Sequence, residues 1–148
     1  MLQNKAPDLT PIKEEIARLI NSENFKLRDV QLEALAIICK YGVLLGNIGV
    51  GHGKTFISLL ARLVTRSKRC LLFVPNDLIP QLTQEDIPTL EKFLGVSLDW
   101  CTIDGVEKMQ RVEMMDKHSL TIIPYSLLST DDTYEVLEAS FADMIIFD

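Results

Sequence analysis

The chain has 148 residues, a length that suits one domain with a sizeable buried core. Its composition, 47% hydrophobic and 24% charged, is that of an ordinary globular protein, and no apolar run approaches a membrane span. The net charge of −6 argues against a freestanding, strongly electrostatic nucleic-acid binder but leaves room for a local groove.

Residues 1–26 read as an N-terminal arm and helix. The arm has no apolar core of the kind a secretion signal needs. Thr10 is expected to cap the helix, with Pro11 in its first position and Glu14 and Glu15 in its first turn. Ile12, Ile16, Leu19 and Ile20 form its apolar face. A second helix is expected from Arg28 to Tyr41, stopped by Gly42, with Leu32, Leu35, Ala36 and Cys39 toward the core. Val43-Leu44-Leu45 then reads as a short buried strand.

The next run, Gly49-Val50-Gly51-His52-Gly53-Lys54-Thr55, reads as a phosphate-binding loop. Glycines let the backbone turn tightly, so that N–H groups converge on phosphate oxygens. The helix expected over Phe56–Val64 adds the positive end of its dipole. Lys54 can reach the outer phosphates, and Thr55 can place a hydroxyl on Mg²⁺. The strict pattern has glycine at position 48; this chain has Ile48.

Cys70–Val74 is a continuous apolar run, the mark of a strand buried on both faces. A helix follows to about Phe93, with Pro88 expected to kink or shorten it. Then come a strand over Ser97–Ile103, a helix over Gly105–Lys117, a strand over Leu120–Ile123, a short helix over Tyr134–Ser140 and a last strand, Met144–Phe147, ending at Asp148. Strands alternating with helices imply an α/β fold with a mostly parallel sheet covered on both sides. The basic cluster Arg62, Arg66, Lys68 and Arg69 reads as a cation-rich helix end, favoured by the dipole, rather than a nucleic-acid patch. Cys39, Cys70 and Cys101 lie far apart in apolar segments, as expected of buried free thiols in a reducing, cytoplasmic setting.

Further segments carry a family resemblance. Leu27-Arg28-Asp29-Val30-Gln31 resembles the glutamine motif of superfamily 2 helicases and Swi/Snf-type translocases. Val74-Pro75-Asn76-Asp77-Leu78-Ile79-Pro80-Gln81 resembles that family's motif Ia, and Ile123-Pro124-Tyr125-Ser126-Leu127-Leu128-Ser129 its motif Ib. Met144-Ile145-Ile146-Phe147-Asp148 resembles the start of motif II. The resemblance covers residues 27–148 and implies a three-layer P-loop NTPase domain, the first RecA-like domain of such a protein, incomplete at motif II. It implies ATP and Mg²⁺ as ligands, with Gln31 reading adenine and Gly49, Val50, Gly51, His52, Gly53, Lys54 and Thr55 holding the phosphates. Lys54 and Asp148 would be the catalytic pair, with Thr55 and Asp148 at the metal. Pro75, Gln81, Tyr125 and Ser126 would touch the sugar-phosphate backbone of nucleic acid, DNA rather than RNA, weakly in this chain alone. The family's glutamate after Asp148 and its second RecA-like domain with an arginine finger are absent, so nucleotide binding without efficient turnover is expected.

Two other readings remain open. A helicase-like module could bind nucleotide or a partner and regulate it without catalysis. An unrelated P-loop kinase is a third reading, against which Gln31 and the Tyr125-Ser126 segment weigh.

Overall fold

The computed structural model describes residues 7–46, 48, 53–130, 134, 135, 137, 138 and 140–148. Helices α1 (Thr10–Ile20) and α2 (Asp29–Tyr41) pack together, and Ile16, Ile20, Leu35 and Ala36 join one core cluster. Thr10 is not the cap of α1 but its first helical residue. The Asp8 carboxylate accepts the Thr10 N–H at 2.9 Å instead, and the Thr10 hydroxyl, then that N–H, hold the Asp8 carboxyl below its usual range. α2 ends as the sequence predicts: Gly42 takes φ 70°, and its N–H donates to the Ile38 carbonyl at 2.8 Å.

The segment after Gly42 departs from expectation, because Val43-Leu44-Leu45 forms no strand. Val43 is 67% and Leu45 102% exposed, whereas Leu44 and Ile48 pack on the core. A strand exists only through a paired neighbour. Here a cleft separates the segment from the nearest edge of the sheet.

α3 (Lys54–Thr65) buries Ile57, Leu59, Leu60 and Ala61, and Arg66 closes it with φ 58°. β1 (Cys70–Val74) is buried throughout. A 3₁₀ turn (Asn76–Leu78), α4 (Ile79–Gln81), a π turn (Leu82–Asp86) and α5 (Ile87–Leu94) follow without a break. Pro88 therefore does not end the helical run but sits just after its distorted turn. Proline removes a hydrogen bond from the regular ladder, and the wider turn just before it, where the Ile87 N–H reaches the Leu82 carbonyl, accommodates the mismatch.

β2 (Trp100–Thr102) is shorter than its apolar pattern suggests. Asp99 stands in the left-handed region at φ 49°, and the Leu98 N–H is taken by the Glu91 carboxylate at 2.7 Å, so the extended strand begins only at Trp100. Gly105 turns the chain at φ 67°, and α6 (Lys108–Lys117) starts after it rather than at it. β3 (Leu120–Pro124) runs into a 3₁₀ turn (Tyr125–Ser129). Tyr134, Glu135, Leu137 and Glu138 are helical, whereas Val136 and Ala139 of that expected helix lie outside the described residues. β4 (Met144–Phe147) is the last element.

The four strands form one all-parallel sheet in the order β2-β3-β1-β4, with Phe73 opposite both Ile123 and Phe147. Side chains alternate between its faces. Leu72, Val74 and Ile122 meet residues of α2, α3 and α5, while Leu71, Phe73 and Ile123 meet Val112 and Met115 of α6. The fold is thus α/β, with helices on both faces of a parallel sheet. Among the described residues no helix is long and apolar enough to cross a membrane. The three cysteines are free thiols, and burial pushes Cys70 up to about 12.

Candidate functional site

Because β3, β1 and β4 are parallel, the residues that follow them emerge on one edge of the sheet. These are Tyr125 after β3, Pro75 after β1 and Asp148 after β4. Lys54 and Ser58 of α3 face the Asp148 end across a cleft of about 510 Å³, whose other wall is Val43–Gly46. Lys54 and Ser58 are four positions apart, so they lie on one face of the helix.

Asp148 is held by its backbone and its side chain. Its N–H donates to the Phe73 carbonyl at 2.9 Å, which extends the β4 ladder, and its carboxylate lies in the cleft that Ser58 and Lys54 line. Burial raises the carboxyl above its ordinary range, only partly offset by Ser58 and by the positive charge of Lys54. Burial disfavours the charged carboxylate, and further positive charge brought beside it would stabilise that form. Thr55 is half-buried in the first turn of α3, next to Lys54. Thr55 and Asp148 supply hard oxygen donors, the chemistry Mg²⁺ takes from a protein when substrate phosphates and water complete its shell. Among the described residues no group of three or more His, Cys, Asp or Glu side chains is placed to hold a metal by itself.

Gln31 is only 5% exposed, at the start of α2. Its amide oxygen accepts the Arg28 N–H at 2.8 Å, and its amide nitrogen donates to the Gly53 carbonyl at 3.4 Å. The side chain therefore ties the beginning of α2 to the residue that caps α3. Gly53 sits at φ 71°, and a Cβ there would stand 2.4 Å from the Gln31 amide nitrogen. Both the backbone angle and the close approach call for glycine. One amide hydrogen and one lone pair of Gln31 stay uncommitted by these two bonds. Gly49, Val50, Gly51 and His52 lie outside the described residues.

Of the residues assigned to a nucleic-acid surface, Pro75, Tyr125 and Ser126 come together. The Asn76 amide donates to the Ser126 hydroxyl at 2.7 Å, and the Ser126 N–H returns to the Asn76 amide oxygen at 3.2 Å. The two strand-end turns are thus locked side by side. The Tyr125 hydroxyl donates to the main-chain oxygen of Asp148 at 2.7 Å. Burial, then the charge of Asp148, raises the Tyr125 phenol. Gln81 is exposed, on the helical run after β1. Burial raises the Asp86 carboxyl, and the charges of Glu85 and Asp148 add to that shift.

Two members of the basic cluster serve the fold. Arg62 donates to the Leu98 carbonyl at 3.3 Å, and Arg69 to Asp116 at 2.8 Å and to the Ser140 carbonyl at 3.0 Å. Ser58, Asn76 and Asp86 were not legible as site residues. The helical spacing of Ser58 from Lys54 was the one available signal; nothing local marks Asn76, whose partner Ser126 is brought in by the sheet.

No protein-family model matches this chain, and no curated protein sequence matches it.

Proposed function

We propose that the chain is an ATP-binding domain of the RecA-like kind, resembling the first domain of a superfamily 2 DNA helicase or translocase. The observation that carries the reading is the convergence of Lys54, Ser58 and Asp148 at the start of α3, on the edge where parallel strands end. In open α/β sheets that edge is where ligands bind. Lys54 would bind the outer phosphates as a mobile cation, and the free N–H groups in the first turn of α3 would add donors. Thr55 and Asp148 would hold Mg²⁺, which supplies charge neutralisation for the phosphates. Gln31 would brace Gly53 and offer its remaining amide hydrogen and lone pair to the edge of adenine. The paired turns at Pro75-Asn76 and Tyr125-Ser126 would meet a nucleic-acid backbone, DNA rather than RNA and only weakly.

Calorimetric titration with Mg²⁺ and ATP tests this reading. Lys54→Ala is expected to abolish most binding, because it removes the only side-chain cation the reading aims at the phosphates. Equal affinity of the two proteins for ATP would refute it.

A further inference from the structure

Because the strands are parallel, the residues that precede them share the edge of the sheet opposite the cleft: Asp99 before β2, Ser119 before β3 and Arg69 before β1. Asp99 stands at φ 49°, in the left-handed region, which an aspartate takes up when its short side chain finds hydrogen bonds nearby. One carboxylate oxygen meets the His118 Nδ1 at 3.1 Å. The other accepts the Ser119 N–H at 3.0 Å and the Ser119 hydroxyl at 2.6 Å. The Ser119 hydroxyl, with His118 and the Ser119 N–H adding to it and burial opposing, holds the Asp99 carboxyl below its ordinary range. Little else fastens β2. Among the described residues it pairs with β3 alone, over three residue pairs. Leu98, just before it, is held by Glu91 of α5 at its N–H and by Arg62 of α3 at its carbonyl. In α6, which follows β2, only Met115 is fully buried, and the last turn is tied to the start of β1 by Asp116 on Arg69 at 2.8 Å. Three carboxylates, Glu91, Asp99 and Asp116, thus stand among the ties of β2 and α6, with Arg62, His118 and Arg69 facing them. Lys117 is paired with Glu113 within α6, and Asp143 accepts the Lys68 and Arg69 N–H groups from the β4 side.

We propose that Asp99 is the catch of an acid-opened clasp, whose release lets β2 and α6 leave the edge of β3 together while β3, β1, β4 and the helices of the other face stay folded. The clasp is independent of the cleft and of the nucleotide reading. Protonation of Asp99 weakens the acceptor of the Ser119 N–H and removes the charge that faces His118, so the left-handed backbone angle loses its support. A carboxyl held below its ordinary value contributes stability that is present above that value and is lost as pH falls through the folded one. The clasp is therefore closed at neutral pH and released in acid. Its release is local because the large core cluster around α2, α3 and α5 does not depend on α6, whereas α6 packs on the smaller cluster of Leu71, Phe73 and Ile123. Opening would bare the outer edge of β3, a row of backbone groups able to pair with another chain.

Trp100 is the single tryptophan of the chain, follows Asp99 directly and packs half-buried on the core, so it reports on the clasp. The test follows the whole 148-residue chain by acrylamide quenching of Trp100 and by hydrogen exchange over residues 98–117 and 54–74. At neutral pH, Asp99→Ala removes the carboxylate and keeps a Cβ at the left-handed angle. It should speed exchange over residues 98–117 at least about tenfold and leave residues 54–74 within about twofold of wild type, the mark of a local opening. Asp99→Gly, which also frees the backbone angle, should fall between Asp99→Ala and wild type, and His118→Ala, which removes one arm of the clasp, should speed exchange over residues 98–117 less than Asp99→Ala does. In wild type, quenching of Trp100 should rise as pH falls from about 5 to about 3, where carboxylates take up protons, while residues 54–74 keep their protection. That step should be missing in Asp99→Ala, which is already open. Equal acceleration in both segments, no acceleration in Asp99→Ala, or an acid step unchanged by that substitution would each overturn the clasp. If Asp99→Ala does not fold, His118→Ala and the wild-type acid series decide: loss of protection in both segments at the same pH would overturn it.

Discussion

Gly53→Ala probes the contact on which the local architecture turns. Gly53 sits at φ 71°, where a residue with a Cβ costs roughly 1–2 kcal/mol. The new Cβ would also meet the Gln31 amide nitrogen at 2.4 Å, so the amide must move. Moving it gives up its hydrogen bonds to the Gly53 carbonyl and the Arg28 N–H, each worth about 0.5–1.5 kcal/mol. The expected total is about 2–5 kcal/mol. Gly95 supplies the control: it has φ 66° and nothing within 4 Å of its added Cβ, so Gly95→Ala should cost only the backbone share, about 1–2 kcal/mol. Urea unfolding of the two variants measures the difference. The double variant Gly53→Ala with Gln31→Ala should be less destabilised than the sum of the single ones, because the side chain in the way is gone. Equal losses in Gly53→Ala and Gly95→Ala, together with strict additivity in the double variant, would refute the close approach of Gln31 to Gly53.

Two further outcomes follow from the same site. Burial raises the Asp148 carboxyl above its ordinary value, so the folded protein keeps that proton to higher pH than the unfolded chain does. Its stabilisation is full below the unfolded value and is lost as pH rises through the folded one. Asp148→Asn should therefore gain on wild type in urea midpoint as pH rises from about 4 to about 7, and a difference that stays constant over that range would contradict the burial of this group. Gln31→Ala should lower ATP affinity more than pyrophosphate affinity, by about 1–3 kcal/mol if the free amide positions contact adenine; competition titrations showing equal losses for the two ligands would confine Gln31 to bracing Gly53.

Much of this architecture is written locally in the residues. The continuous apolar runs Cys70–Val74 and Leu120–Ile123 can be satisfied only by burial on both faces, and both are strands with every residue buried. Gly42 marks the end of α2 because it can take the left-handed conformation there. The order of these segments was enough to expect an α/β fold with a parallel sheet. What escaped the sequence is everything that depends on who stands beside whom. Val43-Leu44-Leu45 has a strand's composition, yet a cleft separates it from β4, and composition does not encode a pairing partner. Asp99 interrupts the pattern of β2 because its carboxylate is drawn to the N–H and hydroxyl of Ser119 across the sheet end. Ser58, Asn76 and the reach of Tyr125 to Asp148 belong to the same class. Each contact joins residues far apart in the chain, and only the parallel register of β3, β1 and β4 brings their ends to one edge. Hydrophobic period and turn chemistry act over a few residues, so they specify elements. The site is made by the stacking of strands, which is a property of the whole folded chain.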